Sequence, residues 1–96
     1  MKAYLIMQGT DWKWYVYILL CKDASYYTGL TWQPDTRWAQ HLSGFGAKYT
    51  SKHKPQEVVY LEEYENLEQA RQREKQIKGW TRVKKEKLIK GEWGKW

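Results

Sequence analysis

Eight consecutive residues, Trp14-Tyr15-Val16-Tyr17-Ile18-Leu19-Leu20-Cys21, carry no charge and almost no polar group. A run of this length, rich in aromatic and branched side chains and without polar alternation, reads as a strand covered on both faces. It belongs at the centre of a sheet. With 96 residues the chain can bury one modest core, so a single domain must be built around that strand. Any active site then has to use the surface of that same core.

The remaining elements follow from punctuation along the chain. Lys22-Asp23-Ala24-Ser25 is a polar break, after which β-favouring residues resume, so 14–21 and 25–31 read as a hairpin. Gly29 inside the second strand weakens it and marks a place where another group comes close. Pro34 at a first turn, Asp35 beside the positive end and Gly44 or Gly46 at the close predict a helix over 34–43. On it Arg37 and His41 share one face, while Trp38 and Leu42 share a neighbouring face expected to pack on the sheet. The stretch from Phe45 to Pro55 reads as a basic loop with room for a short helical turn. Strand 57–64 then ends in an acidic patch of Glu62, Glu63 and Glu65. Asn66 caps a helix over 67–78 that Gly79 ends, and Thr81 opens another over 81–90. The expected class is α+β, a small three-stranded antiparallel sheet with flanking helices. Residues 1–13 form an N-terminal extension, read as an extra strand or a loosely held tail; the domain spans 14–90, and 91–96 form a tail.

Composition narrows the partners. There are 17 Lys and Arg against 11 Asp and Glu, a formal charge of +6, which favours a polyanion. Between Arg71 and Lys90 nine basic residues face two glutamates. Seven Trp and eight Tyr suit base stacking as well as core packing. The apolar run Tyr4-Leu5-Ile6-Met7 is far below the ~20 residues of a membrane span, and no secretory signal is evident, so nucleic acid is expected and a membrane partner is not. Cys21 is the single cysteine; it allows no intrachain disulfide or cysteine-rich zinc site, and fits a reducing, cytoplasmic setting.

Three groups could carry chemistry. Leu67, Ala70, Glu74 and Ile77 follow at spacings that place a carboxylate on an inward stripe. Such a group needs a cation, a hydrogen-bond partner or a metal; an ion pair with a neighbouring Arg or Lys would meet that need, and so would Mg²⁺, which keeps several waters and takes other ligands from substrate phosphate. Arg37 can hold two oxygens of a phosphate while His41, four residues on, moves a proton, although a solvated Arg and an incidental His have the same spacing. For Tyr17 and Tyr27, register decides. A three-residue loop of Lys22, Asp23 and Ala24 sets Tyr17 opposite Gly29 and Tyr27 opposite Leu19, with both phenols on one face and roughly 7–8 Å apart. A four-residue loop sends them to opposite faces, as ordinary strand tyrosines.

Taken in order, Tyr15-Val16-Tyr17, Tyr27-Thr28-Gly29, Arg37, His41 and Glu74 closely resemble the GIY-YIG nuclease superfamily. The stretch Arg73-Glu74-Lys75-Gln76-Ile77-Lys78-Gly79-Trp80 looks like its small single-domain bacterial branch, which is similar to the nuclease module of structure-specific and excision-repair endonucleases. Tyr15 stands where the first triplet has glycine and Thr28 where the second has isoleucine, and Ala24-Ser25 lacks a turn glycine. The resemblance implies hydrolysis of DNA phosphodiesters with one divalent ion, Mg²⁺ or Mn²⁺, and no nucleotide cofactor. It implies that Glu74 binds the metal, Arg37 clamps the phosphate, Tyr17 or Tyr27 positions or deprotonates the attacking water, and His41 supports that transfer. Lys48, Tyr49, Lys52, Arg73 and Lys78 are the candidate nucleic-acid contacts. Branched, flapped or single-stranded DNA, in repair or recombination, is the expected substrate range. A module that binds nucleic acid through the same basic surface without cutting is the competing expectation. In the cutting case Tyr17 and Tyr27 share one face, with Arg37, His41 and Glu74 gathered over it.

Overall fold

In a computed structural model of the protein, the described residues are 13–44 and 46–91. Strands β1 (Trp14–Cys21), β2 (Tyr26–Thr31) and β3 (Pro55–Tyr64) form an antiparallel sheet in the order β2-β1-β3. Helices α1 (Pro34–Ser43), α2 (Lys48–His53), α3 (Leu67–Lys78) and α4 (Arg82–Lys90) surround it. The expectations for residues 1–12, Trp93 and Trp96 lie outside the described residues.

β1 occupies the centre, as its unbroken apolar run requires; Tyr15 to Leu19 are each no more than 4 % exposed. On one face Val16 and Ile18 pack with Tyr60 of β3, Ala70 and Ile77 of α3 and Leu88 of α4. By alternation Tyr17 and Leu19 point to the other face, where α1 lies alongside β3. Two register shifts in the β1–β3 pairing, after Ile18 and after Leu20, bend β3 beside α1.

The hairpin loop contains three residues. Cys21 N–H donates to the Ser25 carbonyl at 2.9 Å, and Ala24 N–H donates to the Cys21 carbonyl at 2.9 Å. This is a tight turn followed by a left-handed residue. Ala24, at φ 70°, takes the conformation usually given to glycine. Two side chains hold the loop in that shape. Arg82 of α4 donates to the Ala24 carbonyl, and Asp23 accepts from Ser25 N–H at 3.1 Å while its carboxylate also bonds His53.

Helix ends follow the capping residues. Asn66 accepts from Glu68 and Gln69 N–H, Thr81 accepts from Lys84 N–H, and Gly44 closes α1 at φ 88°. The short helical turn allowed for in the basic loop is the six-residue helix α2. Two expectations are corrected. On α1 the inward residue is His41, wholly buried, whereas Leu42 is 57 % exposed. The acidic patch is divided. Glu63 and Glu65 pair with Lys13, but Glu62 turns inward, where the Tyr60 and Tyr64 hydroxyls donate to it and Arg73 bridges its two oxygens at 2.9 and 3.3 Å. Four donors satisfy a carboxylate that burial would otherwise make costly.

Two stability measurements check this account. Ala24→Gly should raise the unfolding free energy by about 0.5–1 kcal/mol, read by denaturant melts, because it removes the left-handed penalty of a Cβ. Arg73→Ala should lower it by about 3 kcal/mol or more, since it leaves the Glu62 charge buried without its partner.

Candidate active site

The three-residue turn sets Tyr17 opposite Gly29 and Leu19 opposite Tyr27. Both phenols therefore lie on one face, their ring centroids 6.3 Å apart. Gly29 is needed for that arrangement. A Cβ there would fall 2.3 Å from both Cζ and the hydroxyl oxygen of Tyr17, so the Tyr17 ring lies across the space that any side chain would fill.

Over this face α1 lowers His41, and the ring is bonded at both nitrogens. The Tyr17 hydroxyl and His41 Nε2 are 2.8 Å apart, and His41 Nδ1 lies 2.7 Å from Thr50 Oγ1 on α2. Thr50 Oγ1 donates to the Ala47 carbonyl at 3.3 Å. A carbonyl only accepts, which orients the whole chain. Thr50 donates to Ala47 and accepts from His41 Nδ1–H, leaving Nε2 unprotonated to accept from the Tyr17 hydroxyl. Burial, with the nearby Arg37 charge, pulls the His41 pKa down to about 4, so the ring is neutral around pH 7. The loop reaches His41 because residue 46 is glycine: a Cβ there would come within 2.5 Å of Nδ1.

Arg37, one turn before His41, interacts with both phenols. Burial works against its charge, but contact with Tyr17 and Tyr27 outweighs burial and holds the guanidinium above its ordinary pKa. Burial drives the Tyr17 phenol up to about 12, against the downward pull of Arg37. Tyr17 is therefore a protonated donor at neutral pH, held between a cation and a neutral base. Tyr27 lies 5.2 Å from the His41 ring and 5.7 Å from Tyr49, and Tyr49 stacks on His53 at 4.0 Å. An aromatic row thus runs from the site to the hairpin loop, where His53 meets Asp23.

Glu74 comes from a different helix from Arg37 and His41. It stands on α3, whose Ala70 and Ile77 pack against Val16 and Ile18. Its charge reaches Tyr17 and raises that phenol's pKa. The carboxylate also pairs with Lys78 at 3.0 Å, the ion pair that the helix spacing allowed. Among the described residues no three His, Cys, Asp or Glu gather to hold a metal. A lone, largely buried carboxylate suits an ion whose remaining ligands are water and substrate phosphate.

The other sequence-derived contacts separate into two groups. Lys48 and Lys52 of α2 line a surface hollow of about 370 Å³ near the site, and Tyr49 joins the aromatic row. Arg73 is not brought to the site; its guanidinium is occupied by Glu62 and Gln76 and lies over Trp80. Thr50 and Gly46 are site residues that sequence reasoning missed. The available signal was a hydroxyl and a glycine in a loop of otherwise basic character, but no fixed spacing connects a loop hydroxyl to a histidine nine positions earlier.

Residues 13–87 match the GIY-YIG catalytic domain family. The chain is 45 % identical over 80 residues to a UPF0213 protein of Natronomonas pharaonis, covering 83 % of this chain and 94 % of that protein. It is 46 % identical over 77 residues to a UPF0213 protein of Staphylococcus haemolyticus, covering 80 % and 94 %. The solution NMR structure of the UPF0213 protein BH0048 from Bacillus halodurans superposes with a TM-score of 0.54 at 44 % identity, over 81 % of this chain and 83 % of that one. No helix among the described residues is long and apolar enough to cross a membrane.

Acid titration checks the His41 assignment. The folded protein keeps His41 neutral down to about pH 4, whereas the unfolded chain takes up a proton below its ordinary 6.5. The stability due to neutral His41 is complete above pH 6.5 and lost as pH falls towards 4. Melting temperature should drop across that window, and His41→Gln should flatten that part of the drop. An equally steep drop in His41→Gln would show that another group is responsible.

Proposed function

The chain belongs to the GIY-YIG family, and from that premise we propose that it is a divalent-metal-dependent endonuclease hydrolysing DNA phosphodiester bonds. The observation that carries this reading is the directed chain Tyr17–His41–Thr50–Ala47 with Arg37 against the phenol. It is a hydrogen-bond chain whose fixed direction leaves His41 Nε2 able to take the phenol proton, set beside a cation able to hold a phosphate.

The chain also favours one tyrosine as the base. Unaided, a phenol raised to about 12 takes no proton from water at neutral pH. Tyr17, however, hands its own proton to His41 Nε2 as its oxygen receives one from the attacking water, and this exchange makes it competent. The water loses a proton, the phenol is restored, and His41 ends as an imidazolium whose Nδ1–H is still held by Thr50. Tyr27, its ring 5.2 Å from that of His41, packs the imidazole and Arg37 into place. Arg37 holds the non-bridging phosphate oxygens and opposes the charge that grows on them during attack. Glu74 would hold the Mg²⁺ or Mn²⁺ ion, which supplies Lewis-acid charge at the same phosphate. Lys48 and Lys52 extend the positive surface along the strand, and affinity should fall with salt as counterions are released.

The test is cleavage of labelled duplex, flap and single-stranded DNA with Mg²⁺ or Mn²⁺. Tyr17→Phe, which keeps the ring and removes the relay, should lower the rate by about 10²–10⁴-fold with binding little changed. Glu74→Gln should abolish metal-dependent cutting. A Tyr17→Phe protein that cuts at the original rate would remove the relay, and cutting that survives Glu74→Gln would remove the metal role. If every form binds but none cuts, the protein is a binding module.

A further inference from the structure

The proton relay and the Arg37 clamp account for one side of Tyr17, the side towards β2 where Gly29, Tyr27 and Tyr49 lie. On its other side, between α1 and β3, is a cavity of about 290 Å³. Tyr17, Arg37 and His41 form part of its wall, so it opens directly beside the place where a phosphate would be held. Leu19, Trp38 and Leu61 supply apolar surface, and Gln56 and Glu57 line it from β3. Both register shifts of the β1–β3 pairing flank this segment of β3, so the strand departs from regular pairing where it forms the cavity wall.

We propose that this cavity is a nucleobase subsite, receiving the base of a nucleotide that flanks the scissile phosphate. The inference rests on the endonuclease reading above and extends it to a substrate contact. Size is the first argument. The volume is at the small end of ligand pockets, about 300–1,000 Å³, enough for one ring system and too little for a length of strand. Chemistry is the second. An indole and two leucines offer a face for stacking, while the Gln56 amide and the carboxylates of Glu57 and Asp35 can meet the polar edge of a base. The Glu57 carboxylate makes the same cavity unsuitable for a second phosphate. Position is the third, because three residues are shared with the catalytic cluster and a strand clamped at Arg37 brings its neighbouring sugar and base to the opening. Entry requires the base to leave its stack, so a base already unpaired or easily unstacked is favoured.

The experiment compares deoxyadenosine 5′-monophosphate with deoxyribose 5-phosphate, which keeps the sugar and phosphate without the base. Binding to the full chain is followed by NMR at the Trp38 indole N–H, assigned by its loss in Trp38→Phe. Stacking on Trp38 should make the nucleotide bind roughly ten- to hundredfold more tightly than the base-free compound, with the Trp38 signal shifting for the nucleotide alone. Trp38→Phe should keep part of the preference, and Trp38→Ala should lose it. Equal affinity for the two compounds in the unmodified protein overturns the proposal and needs no variant that folds. Nucleotide preference without shift at Trp38 overturns it as well. Because the readout is binding, a protein that cuts no DNA but shows the preference keeps the subsite and loses the endonuclease reading. One that cuts DNA and binds both compounds equally does the reverse.

Discussion

A phenol ring can lie across a neighbouring strand only where that strand offers no side chain. Gly29 provides the place, and the three-residue turn delivers it opposite Tyr17. Every later feature of the site depends on this contact. It sets the Tyr17 hydroxyl at a height where His41 can accept from it, and it leaves Tyr27, two residues away on the same face, to pack against the same imidazole. A slip of one residue would turn all of β2 over. The turn that prevents the slip uses alanine in a left-handed conformation, and it is held there by Arg82 of α4 and by His53 of α2, which bonds Asp23 of the loop. Register is thus held from outside the sheet as well as from within it.

The fold was legible wherever one physical rule acted alone. β1 could be read because nothing but double-sided burial explains eight uncharged residues in a row, and the helix ends could be read because Asn66, Thr81 and Gly44 each satisfy backbone groups locally. The parity argument for Tyr17 and Tyr27 was sound but conditional, because Ala24 gave no outward sign of its positive φ. Legibility ended where two rules competed. Hydrophobicity favours Leu42 over His41 as the inward residue of α1, yet the histidine is buried because both its nitrogens are bonded, and the leucine is left in water. Glu62 looked like one member of a solvated acidic patch and proved to be a buried charge with four donors. Such partners are distant in sequence, and no local pattern predicts them.

The two faces of the sheet divide the work. The face of Val16 and Ile18 carries the apolar core and the Glu62–Arg73 pair, which fixes α3 against β3. The face of Tyr17 carries polar, titratable groups that are themselves buried, an expensive arrangement tolerated because each is bonded. Glu74 belongs to α3, so its position relative to Tyr17 is set by packing on the first face. The neighbouring Arg73 pairs with Glu62 of β3 and so anchors the helix that carries Glu74.

The hydrogen-bond chain from Tyr17 ends on the carbonyl of Ala47, and a carbonyl belongs to the backbone whatever residue stands there. The tautomer of His41 is consequently insensitive to the side chain at position 47 and sensitive instead to the length of the connection between α1 and α2. One residue added or removed after Gly44 would swing Thr50 around its helix and leave Nδ1 facing a different group, with every side chain of the site still present. In this protein the direction of a buried hydrogen-bond chain is encoded by a residue count in a loop.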